Sequence, residues 1–174
     1  MLTNKQIQYN NIALRFALKL EAYVQKNMYS DFKLDVKLDW ARNRTSSRGG
    51  IYKNGPGINI AMYPTAMLYH DPKYVYRFYE YPSYDANNVI GGFYARETTL
   101  KVEAVVAHEV AHAIQFFEYK KFSTRCKPHG PKFKQHYKLL RETFINDRLP
   151  EQASLRTEYN ALLKPLSITT YKVA

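Results

Sequence analysis

Residues 108–112 read His108-Glu109-Val110-Ala111-His112, inside a stretch from Leu100 to Tyr119 whose apolar residues recur at helical spacing. Positions i and i+4 of a helix share one face, so His108 and His112 can hold one metal ion between them. Glu109 then stands beside that ion, placed to take a proton from a water molecule. A third protein ligand from elsewhere would leave one coordination position open. An open position is what separates catalytic from structural zinc.

The surroundings suit the motif. Leu100, Ala104, Ala107, Val110/Ala111 and Ile114 mark the buried face of a helix over about 100–119, with Thr98/Thr99 as its cap and Glu103 in its first turns. Two candidates can supply the third ligand. His129 follows a basic loop and, with Gly130, opens the next amphipathic segment, so its ring can point back at the first helix. Glu142 is the alternative, 30 residues beyond His112, as a zincin using a glutamate would require; His129 is preferred. A metzincin would place Gly and a third His where Gln115 and Glu118 stand, which excludes that subclass. His136 lies about two helical turns from His129, too far to share its ion but along the same cleft. His70 reads as a surface or packing residue. Tyr137, His136 and Arg141 are the candidates for stabilising an oxyanion.

The 174 residues suit one domain, with 45% apolar and 15% aromatic residues, as in a folded chain. The single cysteine, Cys126, excludes an intramolecular disulfide and a Cys-rich zinc ribbon, and points to a reducing, intracellular setting. No signal peptide is evident, and no apolar run approaches the ~18 residues of a membrane span. A net charge of +11 suits solubility or attraction to a polyanion such as DNA. One basic cluster holds Arg42, Arg44, Arg48 and Lys53. The other spans 120–148 and includes Lys120, Lys121, Arg125, Lys127, Lys132 and Lys134. Both flank the segments assigned to the site, which makes them the candidate nucleic-acid contacts.

Upstream, Ile12, Phe16, Leu20 and Tyr23/Val24 predict a helix over 4–28, with Leu14 and Leu18 widening its apolar stripe. Phe32, Leu34, Val36, Leu38 and Trp40 alternate with charged residues, the mark of a half-buried strand. Residues 42–50 read as a polar turn. Ile51–Lys53 and Ile58–Met62 form a hairpin about the Gly-rich turn 54–57, closed by Pro64 and a short helical stretch at 65–70. The strand Ile58-Asn59-Ile60 is the candidate for holding an extended substrate by strand addition. The Tyr-rich segment 71–96 predicts a loop or irregular β insertion packed by its own rings, with a base-stacking platform as the competing reading. Helices over about 130–147 and 151–163 precede a frayed tail.

His108-Glu109-Val110-Ala111-His112, followed by His129-Gly130-x-x-Phe133, resembles the SprT-like zinc metalloprotease domain, the family that includes Spartan. Gly50…Gly57-Ile58-Asn59-Ile60 is similar to that family's hairpin, and the resemblance spans about residues 5–147. It implies a compact α+β zincin-like domain: an N-terminal helix, a small antiparallel sheet, the active-site helix and following helices. It also implies one Zn2+ on His108, His112 and His129, with Glu109 as general base. The substrate would be a protein or peptide, with DNA as an associated partner. The chain departs from many bacterial relatives in lacking a zinc ribbon, and its 71–96 segment is longer than the family's usual connection. Two other readings stand beside the peptidase: a DNA-binding accessory protein with structural or vestigial zinc, and a zinc peptidase for short peptides or cell-wall material.

Overall fold

Thr3 opens the first helix with a reciprocal cap: its hydroxyl accepts the Gln6 amide at 3.2 Å, and its own amide donates to the Gln6 side chain at 2.8 Å. A computed structural model describes residues 1–44, 46–52, 55–67, 75–78, 92–122 and 127–163. Its helix α1 (Asn4–Asn27) buries Tyr9, Ala13, Phe16, Ala17, Leu20 and Val24, spaced three or four apart. Leu14 and Leu18 do not widen that stripe. They are 39% and 61% exposed, because they lie about 110° and about 150° off the centre of the buried face.

Strand β1 (Asp35–Asp39) shows the predicted alternation, with Val36 and Leu38 turned to the core. Strands β2 (Arg48–Tyr52) and β3 (Gly55–Ala61) pair antiparallel, and the residues between them, 53–54, lie outside the described set. Strand β2 takes in Arg48, Gly49 and Gly50, which the sequence assigns to a turn. The sheet order is β1-β3-β2, with β3 parallel to β1. The sheet is therefore mixed rather than purely antiparallel, since the hairpin inserts its second strand between the first two. Strand β3 is central, and Val36 and Leu38 of β1 stand opposite Ile58 and Ile60.

Strands β4 (Tyr76–Phe78) and β5 (Phe93–Ala95) pair antiparallel within the Tyr-rich segment, giving it the irregular β character expected. Most of that segment, residues 71–74 and 79–91, lies outside the described residues, as do the tail from 164, His70 and Cys126. Tyr94 serves packing. Its amide and carbonyl bond the Gln152 side chain at 2.7 and 3.1 Å, and its ring meets Tyr159 at 5.4 Å.

Helix α2 (Thr98–Phe122) buries residues on nearly every side, among them Val102, Val106 and Ala113 beyond the expected face. A helix apolar all round belongs in the middle of a fold, and α2 packs against α1, β2, β3 and α3 (Pro131–Phe144). Helix α4 (Gln152–Leu163) docks on β5 through Gln152 and through an ion pair between Arg96 and Glu158. The architecture is α+β. No helix among the described residues is long and apolar enough to cross a membrane.

Lys101 joins α2 to the wide helical turn Tyr63–Met67 by donating to the Pro64 carbonyl at 2.9 Å. Burial pushes its pKa down to about 8. Below that pH the folded protein carries a charge that burial disfavours. The cost is fully present below about 8 and disappears as pH rises toward the ordinary lysine value. Lys101→Met is therefore expected to be more stable than the parent at pH 7, by about 1–3 kcal/mol. That advantage shrinks at pH 10. Urea unfolding of both proteins at the two pH values measures it, and an advantage independent of pH contradicts the account.

Candidate metal centre

His108 and His112 project from adjacent turns of α2, with ring centroids 5.1 Å apart. His129 reaches them from a tight turn, Lys127-Pro128-His129-Gly130, closed by the Gly130 amide donating to the Lys127 carbonyl at 2.8 Å. Proline at the second position and positive φ at the third are marks of a type II turn, where glycine or asparagine is usual. Here the third position is His129, with φ +56°. A histidine held in the left-handed region is strained, and such strain gathers at functional sites. Gly130 is required by the same turn, because a Cβ there would lie 2.9 Å from the Lys127 carbonyl oxygen.

The turn delivers His129 Nε2 to 2.8 Å from His112 Nε2 and 3.3 Å from His108 Nε2. Two nitrogens bound to one tetrahedral zinc at ~2.0–2.1 Å stand roughly 3.3 Å apart. The three rings thus converge as ligands of a single small cation would, and an imidazole donor set suits zinc, copper, iron or nickel. Among the described residues this is the one cluster of three or more His, Cys, Asp or Glu side chains able to hold a metal ion. Phe133 braces it, stacked on His112 at 4.2 Å and set edge-on to His108 and His129 at 4.8 Å each.

Burial lowers the pKa of all three histidines: His108 well below its ordinary value, His112 to about 4, and His129 downward as well. Their mutual repulsion adds to the shifts of His108 and His112. Neutral imidazoles with lone pairs aimed at one point are the form a metal requires. Glu109 is buried, and burial raises its pKa to about 8 against the opposing pull of the Gly49 amide, which donates to it. A bound cation would reverse that balance and favour the carboxylate.

Gly49 is the site residue that sequence reading missed. Its place against α2 is so close that a Cβ would lie 1.9 Å from the Glu109 carbonyl oxygen and 2.9 Å from His112 Cβ. The only signal was a Gly49-Gly50 pair upstream of a helix, which reads equally well as a turn.

Several other candidates resolve differently. Glu142 is exposed and lies 3.9 Å from Lys138, outside the cluster, because it sits on the outer face of α3. His136 does not line the site. Its Nε2 lies 3.0 Å from Glu118 Oε2, and Glu118 Oε1 accepts the Tyr29 hydroxyl at 2.5 Å, so this group ties α2 and α3 to the segment that follows α1. Arg141 donates to Asn146 at 3.1 Å and lies over the Phe93 ring. Of the three oxyanion candidates, Tyr137 meets the centre, its ring 5.1 Å from that of His108. Ile58, Asn59 and Ile60 cannot take a substrate strand, because β3 is paired on both sides and Ile58 and Ile60 are buried.

The basic residues divide. Arg44 pairs with Asp39 at 3.5 Å, Lys121 with Asp31 at 2.9 Å, and Lys132 lies 4.0 Å from Glu118. Arg42 lies over the Tyr63 ring. Arg48, Lys120 and Lys127 are exposed, Lys134 is half-buried, and Lys53 and Arg125 lie outside the described residues.

Residues 92–157 match the model of the SprT-like family. That stretch runs from the start of β5 through both histidine-bearing segments and into α4, so the resemblance read from the motifs holds where the motifs lie. The hairpin at 48–61 falls outside the matched residues. No curated protein and no solved structure matches the chain.

Proposed function

We propose that this chain, SprT-like over residues 92–157, is a zinc-dependent endopeptidase. The observation that carries the reading is the convergence of three Nε2 atoms, from His108, His112 and His129, beside the carboxylate of Glu109. Zinc held there would acidify a water molecule and polarise a scissile carbonyl. Glu109 accepts the proton on its carboxylate and returns it to the leaving amine. The Gly49 amide holds that carboxylate in place, and Phe133 and Tyr137 wall the rings from one side.

Substrate strand addition moves from β3 to β2. Strand β2 is an edge of the three-stranded sheet among the described residues, and its Gly49 borders Glu109. An extended peptide pairing there would cross the catalytic glutamate. Exposed Arg48 lies on the same strand, and Lys127 lies in the turn that carries His129. These cations support DNA-associated proteins as the substrate class.

Cleavage of casein and histone, each with and without single-stranded DNA, tests the proposal, with peptidoglycan as a third substrate. Protein cleavage abolished by a chelator and restored by zinc supports it, and stimulation by DNA supports the substrate class. A salt-sensitive DNA shift with no proteolysis, self-cleavage included, favours an accessory DNA-binding role instead. Against that role stands Glu109, which a structural site has no use for. Activity on peptidoglycan alone favours the cell-wall reading.

His129→Ala is expected to weaken zinc binding by about a hundredfold or more, since a ligand matters at least as much as its supporting residues. Glu142→Ala leaves affinity unchanged, because its carboxylate faces outward. Competition against a chromogenic chelator reads both. The opposite pattern would make Glu142 the third ligand.

A further inference from the structure

His112 and Gln115 lie three residues apart on α2, so their side chains are neighbours along the helix. Both are buried, at 8% and 3% exposure. Gln115 Nε2 donates to the Lys127 carbonyl at 2.9 Å. The same carbonyl accepts the Gly130 amide, closing the turn that carries His129. That bond sets the amide's orientation, since a carbonyl needs a donor. The opposite end, Gln115 Oε1, is buried with no hydrogen bond of good geometry among the described residues, and so is His112 Nδ1. One helix thus carries, three residues apart, a buried acceptor and a buried nitrogen able to donate, each costly if unsatisfied.

We infer that Gln115 is a positioning residue for the metal centre, holding the His112 ring and the His129 turn with the two ends of one amide. The inference rests on His108, His112 and His129 being the metal ligands. A histidine that ligates through Nε2 carries its proton on Nδ1, and the group accepting that proton fixes both tautomer and ring orientation. For His112 that acceptor is Gln115 Oε1. The other end of the same side chain restrains a turn whose His129 adopts a disfavoured backbone conformation. One glutamine on α2 therefore couples two ligands that come from different elements. A leucine there keeps the bulk and loses both bonds. A glutamate keeps an acceptor for His112 but sets a carboxylate oxygen against the Lys127 carbonyl.

The test uses the full chain, with Zn2+ affinity from chelator competition, the visible absorption of the Co2+-loaded protein, and the metal-free melting temperature. Gln115→Leu is expected to weaken Zn2+ binding by about 10–100-fold and to change the cobalt bands. Gln115→Glu is expected to recover part of the affinity, binding Zn2+ more tightly than the leucine variant. A lower metal-free melting temperature in either variant, with parental Zn2+ affinity and cobalt spectrum, overturns the inference, because packing alone would do that. Equal loss in both variants also overturns it, since the retained acceptor would then serve nothing. Failure of the metal reading looks different: the parent itself would bind no Zn2+.

Discussion

Glu109→Gln is expected to hold zinc within about threefold of the parent and to lose proteolysis by about 10²–10⁴-fold, the usual worth of a positioned general base. The substitution changes one atom in a buried side chain, so the helix and the three histidines keep their places. Glutamine can still orient a water molecule but cannot accept its proton. The loss should fall on kcat rather than on KM, because a proton transfer made in the transition state is removed and ground-state contacts are not. Burial already presses Glu109 toward its neutral form, with a pKa of about 8. An uncharged amide is therefore well tolerated there, and the variant should melt no lower than the parent. Parental cleavage rates in a zinc-loaded Glu109→Gln protein would sink the assignment.

The largest expected structural effect comes from a residue with no side chain. Gly49→Ala is expected to destabilise the fold by about 3 kcal/mol, the upper part of the range for overpacking, and to reduce activity beyond what the lost stability explains. The added carbon would lie 1.9 Å from the Glu109 carbonyl oxygen and 2.8 Å from its carbonyl carbon. Those atoms belong to the backbone of the central helix and cannot swing aside as a side-chain tip can. Strand β2 must move instead, taking with it the amide that donates to the Glu109 carboxylate. Gly50→Ala is the internal control. Its nearest neighbour is Phe116 at 3.7 Å, an ordinary contact, so that variant should stay near parental stability. Urea unfolding and peptidase rates for the pair check the account. If the two variants behave alike, the contact between β2 and α2 does not govern the site.

The contrast between these glycines shows where sequence reading stops. Both sit in a polar run that resembles a turn, and nothing local tells them apart. One faces the backbone of a helix some sixty residues away and the other faces a ring. Leu14 and Leu18 teach the same lesson in reverse, since apolar residues near a buried stripe stay exposed when no element covers their side. Strand β3 was readable as a strand, but its place between β1 and β2 was not. That order, which moves the candidate substrate edge from β3 to β2, depends on pairings among segments far apart in the chain.

What the amino-acid sequence determined by itself was whatever repeats at short range. The i, i+4 histidines, the period-two strand at 35–39 and the buried stripe of α1 follow from local geometry, since a helix or strand assigns its faces by spacing alone. The sequence also favoured His129 over Glu142, through the Gly130 beside it and the segment it opens. Only the tertiary structure decided how His129 reaches the other two rings. That took a proline-led turn in a strained conformation, the Phe133 ring as a brace and Gln115 to tie the turn to α2. A metal centre needs atoms brought together within a few ångströms, and no periodicity along a chain can specify a distance between its separate elements.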